Sequence, residues 1–172
     1  MKTPKANKVL KDFSDKIELQ AKANLNKSSN TGTLSNSIDV GFEEATDGIR
    51  IYINMEEYGE FLDEGVKGAN PNLVKNGRQK APNSEHKFTN KMPPWQPIMS
   101  WAKAKNIRFR NAKGQFAKGD YDTIGFVLQK RIYAQGIKPI YFITEPLDEL
   151  IDKFSEEFSS AYADDLIDYL LL

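Results

Sequence analysis

Cysteine is absent from this 172-residue chain, and histidine occurs once, as His86. Without cysteine there are no disulfides and no thiolate metal sites, which is compatible with a reducing compartment. The lone histidine lies between Glu85 and Lys87 in a polar stretch, so a general base or a metal site would need partners from elsewhere in the chain. Long apolar runs are missing too: no segment reaches the ~20 residues of a membrane span, and Met1 to Asn7 lacks the apolar stretch of a signal peptide. The expectation is a protein soluble and intracellular at synthesis, with no membrane partner. Phosphate loops and dinucleotide fingerprints are also lacking, since Gly114 and Gly119 stand alone in a basic segment.

A further scarcity is local. From Val66 to Gly119 a single acid, Glu85, faces twelve Lys or Arg, a block of +11. Residues 28–65 carry nine acids against Arg50, and residues 120–172 carry eleven against four basic residues, giving −8 and −7. The first 27 residues add +4, and the whole chain is neutral. Charge sorted in this way favours docking onto a surface of complementary sign, either another copy of the chain or a polyanion. Apolar residues at 40% and aromatics at 11% are ordinary for a folded protein, and the length suits one domain, 1–172, with loop insertions at about 66–92 and 108–119. The basic block is the part expected to be extended.

Several elements follow from periodicity. Val9, Leu10, Phe13, Ile17, Ala21 and Leu25 predict an amphipathic helix over Lys5–Asn26, stopped by the run Ser28 to Gly32. Segments Ser37–Ala45 and Ile49–Asn54 predict a hairpin turning at Asp47-Gly48, with Ile49, Ile51 and Ile53 on its buried face. Tyr58, Phe61 and Leu62 fall on one side of a short helix that Gly65 ends. Trp95, Ile98, Trp101 and Ala102 predict another helix, and Tyr121 to Ile132 a third, ending at Gly136. Ile137–Ile143 reads as extended. Thr144 is the expected cap of a last helix whose stripe, Leu147 to Tyr169, spans up to ~28 residues or ~40 Å, and which projects past the core or lies across a neighbouring subunit.

Catalytic constellations are not evident. Glu56, Glu57, Glu60, Asp63 and Glu64 read as a solvated acidic face, His86 as a solvated loop histidine, and Ser35 and Ser37 have no histidine nearby in sequence. No enzyme activity, cofactor or metal is expected. The chemistry the composition permits is contact with nucleic acid: Lys103, Lys105, Arg108, Arg110, Lys113 and Lys118 are interleaved with Phe109 and Phe116, cations for phosphates and rings for bases. An exposed hairpin docking on an acidic protein surface uses the same residues. With Arg78 and Lys80 they form the candidate interface or DNA-facing set; Tyr169, Leu170, Leu171 and Leu172, apolar at the terminus, form the second candidate interface.

Taken in order, four motifs resemble a tailed-bacteriophage family, the neck or tail-completion proteins that form a ring at the head-to-tail joint. They are Thr31-Gly32-x-Leu34-x-x-Ser37-Ile38 and Tyr58-Gly59-x-Phe61-Leu62-x-x-Gly65-Val66-x-Gly68. Pro93-Pro94-x-x-x-Ile98-x-x-Trp101-Ala102 follows with Lys105-x-Ile107 and Gly114-x-Phe116, and last comes Ile132-Tyr133-x-x-Gly136-Ile137-Lys138-Pro139 before Phe142. The stretch between Gly68 and Lys91 and the acidic C-terminal helix depart from the family pattern, so its partner-facing surfaces do not transfer. The resemblance implies an α+β fold in which a small antiparallel sheet packs against long amphipathic helices; the residues themselves add the long C-terminal helix and the two basic loops. It implies Phe61, Trp101, Tyr133 and Phe142 as core or inter-subunit aromatics. It also implies a homo-oligomeric ring in the virion, assembled in the host cytoplasm, whose neighbours are neck, portal-side or tail proteins. A ring needs one surface to fit a different surface on the next copy, and sorted charge suits that geometry. Contact with genomic DNA in the channel is compatible with it.

Overall fold

The computed structural model describes residues 3–26, 32–45, 48–116 and 119–171. Its architecture is α+β: helices predominate, two small antiparallel sheets accompany them, and a long helix closes the chain. The packing divides into two compact units, Met1–Gly59 with Tyr141–Leu172, and Glu60–Ile140.

The first unit is built on two long helices. Helix α1, Pro4–Asn26, buries Leu10, Phe13, Ile17, Ala21 and Leu25 at three- and four-residue steps, so the stripe expected from the sequence is the one that faces inward. The last helix of the chain, Thr144–Leu170, runs antiparallel along it: Phe13 stacks on Phe154 with ring centroids 4.2 Å apart, and Phe154, Phe158 and Tyr162 continue the aromatic ladder. The carboxylate of Asp165 closes the other end of this pairing. It is 3% exposed and accepts from the backbone N–H of Lys5 at 3.0 Å and of Ala6 at 2.9 Å, two of the N-terminal amides that α1 itself cannot satisfy. Beside it, the exposed Lys5 ammonium reaches Asp168 at 2.8 Å, and that hydrogen bond raises its pKa.

Between these helices in sequence come the short helix α2, Thr33–Ser37, and strands β1, Asp39–Ala45, and β2, Gly48–Asn54, paired in register from Asp39↔Asn54 to Ala45↔Gly48. Asp47 of the expected turn, and Ser28 to Thr31 of the expected helix stop, lie outside the described residues. The first strand starts two residues later than expected because Ser37 closes a helical turn, its Oγ donating to the Leu34 carbonyl. Ile51 and Ile53 are only half-buried and Ile49 is exposed, so the hairpin lacks the fully buried face that its alternation suggests.

Helix α3, Tyr58–Asp63, carries the chain into the second unit. There the segment expected as a long loop is folded. Strand β3, Val66–Lys67, pairs with strand β4, Gly136–Ile137, and helix α4, Pro71–Lys75, follows with Asn70 at its N-cap accepting from the Asn72 N–H. Gln79 is buried and its amide donates to the carbonyls of Gly68 and Asn70, while the Lys80 N–H donates to Gln135. Polar and backbone hydrogen bonds therefore order a stretch poor in large apolar residues. Helices α5, Trp95–Ala104, and α6, Tyr121–Gln135, pack together through Trp95 stacked on Phe126 at 4.7 Å, with Ala102 and Ile124 buried.

Two junctions differ from expectation. Strand β4 stops at Ile137 rather than extending to Ile143. The closing helix, α7, begins at Thr144 itself with Ile143 in the N-cap position, so Thr144 is its first residue and not its cap. Gly136 ends α6 at φ +86°, as its C-terminal placement predicts, and a side chain there would collide with the Val66 carbonyl.

Candidate functional site

The basic residues of the second unit are presented on a defined scaffold. Helix α5 ends at Ala104, with Lys103 in its last turn and Lys105 at its C-cap. Asn106 takes φ +51°, and its side-chain oxygen accepts from Arg108 Nε at 3.0 Å and from the Tyr121 hydroxyl at 3.3 Å. The chain then forms a small hairpin in which Arg110 and Phe116 face each other across an antiparallel bridge. Asn111 organises its turn by accepting from the N–H groups of Lys113 and Gln115, both at 3.0 Å, while Gly114 sits at φ +77°.

At the hairpin, Phe116 is 62% exposed yet not bare. The Arg110 guanidinium lies 4.5 Å from its ring centre and that of Arg108 lies 6.0 Å away, the Arg110 contact being further tied down by donation to the Gly114 carbonyl at 2.8 Å. Among the described residues, none of Lys103, Lys105, Arg108, Arg110 or Lys113 forms an ion pair. The hairpin thus offers an exposed aromatic ring with two planar cations against it, neither of them paired with an acid among the described residues. Lys118 lies outside the described residues. Arg78 and Lys80 are exposed too, but belong to the segment after α4, where their backbone N–H groups bond to Leu73 and Gln135.

The C-terminal candidates are held differently. Tyr169, Leu170 and Leu171 are 60%, 78% and 81% exposed at the end of α7, preceded by Ile167 at 53%, while Leu172 lies outside the described residues. Pro4, where α1 starts, is reached near Asp165 and Asp168, so the last residues of α7 have passed the end of their partner helix. Of the four aromatics the resemblance singles out, Phe142 is fully buried, Tyr133 is half-buried, and Phe61 and Trp101 are exposed.

One grouping escapes a reading along the sequence. His86 is not a solvated loop residue: its ring is packed edge-on against Phe61 at 4.8 Å, with Nε2 3.2 Å from Glu64 Oε2 and 3.9 Å from Glu60 Oε1. The helical spacing of the two glutamates is visible in the sequence, but the parallel bridge between Lys67 and Lys87 that delivers the histidine is not.

Comparison with known proteins gives no matching family model, no matching curated protein and no matching solved structure. Among the described residues no helix is long and apolar enough to cross a membrane. The class that fold and surfaces define is an α+β protein with two chemically unlike exposed patches, one cationic and aromatic, one aliphatic.

Proposed function

We propose that this chain is a structural subunit of a tailed-phage neck or tail-completion assembly, forming a homo-oligomeric ring at the joint between portal and tail, in the virion and, during assembly, in the host cytoplasm. The observation that carries the reading is the run of exposed apolar side chains on the overhanging end of α7, Ile167 to Leu171, which invites burial against another subunit. The motif order described above points the same way, as do exposed Phe61 and Trp101. Two unlike patches suit heterologous contacts, in which each copy offers a different face to each neighbour. In this reading the protein works by binding and not by catalysis.

Stable contacts of this kind bury about 800 Å² per partner. The purified chain is therefore expected to give discrete oligomers by light scattering, alone or with its portal-side or tail-side neighbour. Ending the chain at Asp168 should return it to a monomer without loss of helix signal. A chain that stays monomeric and binds no other virion component overturns the proposal.

A second reading rests on the hairpin. Phe116 flanked by Arg108 and Arg110 is a stacking surface with phosphate ligands beside it, and a ring carrying DNA through its channel can use it. Affinity for DNA should then fall linearly with salt on a log–log plot. Undetectable binding at low ionic strength removes this reading and leaves the hairpin to an acidic protein partner.

A further inference from the structure

Glu60 and Glu64 are four residues apart, and the helical turn that carries them is closed by the Glu64 N–H donating to the Glu60 carbonyl at 3.0 Å. Their side chains consequently leave the same face. The chain then turns at Gly65 into β3, and this strand fixes the position of a distant segment. The Lys67 N–H donates to the His86 carbonyl at 2.8 Å, and the Phe88 N–H donates back to the Lys67 carbonyl at 3.0 Å. Ser84 adds a second tie, its hydroxyl donating to the Gly65 carbonyl at 2.8 Å and accepting from the His86 N–H at 3.1 Å. Phe61, one residue beyond Glu60, bounds the imidazole with the edge-on contact already described.

What this scaffolding aims is a ring nitrogen with two carboxylates in front of it. The His86 Nε2 atom is shut off from solvent and has no hydrogen-bond partner among the described residues, while Glu64 Oε2 and Glu60 Oε1 lie 3.2 and 3.9 Å from it. One donor atom from each of the three residues lies within 4.8 Å of the other two, the only such group of metal-ligating side chains among the described residues. A ring nitrogen facing two carboxylate oxygens is held there either by its own proton or by a cation between them. We propose that Glu60, Glu64 and His86 form a binding site for one divalent transition-metal ion of the zinc or manganese kind.

The geometry fits such an ion. Zinc bonds His nitrogen and carboxylate oxygen at about 2.0–2.2 Å, which sets ligand atoms ~3–3.5 Å apart. The 3.2 Å pair is already at that spacing, and Glu60 needs to move by only ~1 Å, which an exposed side chain achieves by rotamer change without backbone movement. One imidazole with two carboxylates suits zinc, manganese or iron; calcium, which takes about 6–8 oxygen ligands, is poorly served by two exposed glutamates. Three protein ligands leave further positions for water or for a side chain from a partner. Bound there, the ion clips the end of α3 to the segment 84–88, adding to the Phe61 ring contact, the Ser84 hydroxyl on Gly65 and the backbone bonds at Lys67.

The test uses the full-length chain freed of metal with chelator, then titrated calorimetrically with ZnCl2, with MnCl2 followed by electron paramagnetic resonance, and with MgCl2 and CaCl2 for comparison. One zinc ion per chain is expected, with a rise in melting temperature on saturation and weaker or no response to magnesium and calcium. His86→Gln and Glu64→Gln should each weaken zinc binding by more than about 10-fold. Glu57→Gln, in the same acidic run but outside the cluster, should leave it unchanged. Should His86→Gln fail to fold, Glu60→Gln and Glu64→Gln, at exposed carboxylates, carry the comparison with circular dichroism as the check on folding. Absence of saturable binding of zinc or manganese, or binding that survives the Glu64 and His86 substitutions, overturns the proposal. The readout is metal stoichiometry, so it stands or falls separately from ring assembly.

Discussion

Asp165→Ala is the substitution whose cost can be worked most directly from the structure. The carboxylate serves the first-turn amides of a helix that begins 160 residues earlier in the sequence, and Ala6, one of the two donors, is wholly buried. Loss of a side-chain cap costs about 0.5–2 kcal/mol. A charge-assisted bond, or a buried N–H left without an acceptor, is worth about 1–3 kcal/mol. These overlap, and together give about 2–3 kcal/mol for the alanine variant. Asp165→Asn, which keeps an acceptor oxygen but loses the charge facing the positive end of α1, should lose about half as much. At roughly 2–4 °C per kcal/mol for a chain of this size, the alanine variant melts ~4–12 °C lower. Urea unfolding followed by circular dichroism measures the free energy, and hydrogen exchange at the Lys5 and Ala6 amides locates it. Asp164→Ala, at the exposed neighbouring position, is the control and should stay within about 0.5 kcal/mol. Equal losses at both positions, or none at Asp165, would refute the capping role.

Gly136→Ala combines a left-handed backbone with a collision against the Val66 carbonyl and should cost more than ~2 kcal/mol, whereas Gly114→Ala, at φ +77° in open space, should cost only ~1 kcal/mol. Thermal unfolding of the two variants side by side separates collision from strain, and equal costs would show the β3–β4 approach to be looser than described. Glu18 has its pKa lowered by its hydrogen bond with Lys22 and by the Val40 N–H. The contribution of the charged carboxylate is therefore in place at neutral pH and is lost as the pH falls through and below the ordinary carboxylate range. Glu18→Gln should flatten the acid limb of the stability profile, and an unchanged limb would remove Glu18 from the account. Arg108→Glu together with Arg110→Glu should leave the circular dichroism spectrum intact while impairing assembly or genome retention; loss of folding would instead make those side chains structural.

The long helices were legible because their order is apolar. The α1 stripe recurs at helical steps and is buried, and the α7 stripe recurs likewise, though Phe154 and Phe158 are only half-buried and Ile151, Tyr162, Leu166 and Tyr169 are exposed. The pair of antiparallel strands was legible from its alternation, although not the start of the first at Asp39 nor the exposure of Ile49. The segment 66–92 was illegible because Gln79, Asn70, Ser84 and the Lys67 backbone hold it, and such bonds leave no periodic trace. Nothing along the sequence distinguishes Asp165 from the other acids of α7, and its inward turn depends on where a helix more than 150 residues away begins. For the candidate site, residue types and exposure at the basic hairpin were readable, but the meeting of Phe116 with Arg108 and Arg110 needed the turn that Asn111 builds. The meeting of Glu60, Glu64 and His86 was not readable, since no spacing rule links a helix end to a loop more than 20 residues later.

The split of the first unit between the two ends of the chain has a consequence for synthesis. The second unit is one continuous stretch, Glu60–Ile140, and its internal packing can form once that stretch has emerged. The first unit must wait. Leu10, Ile17 and Leu25 leave the ribosome early, but Phe154 and the Asp165 carboxylate follow well over 100 residues later, about 6–25 s at ~5–20 residues per second. During that interval α1 has α2 and β1 beside it but not α7, and the part of its apolar face that Phe154 covers stays open, which makes the nascent helix a natural client for a holding chaperone and gives completion of the unit a built-in delay.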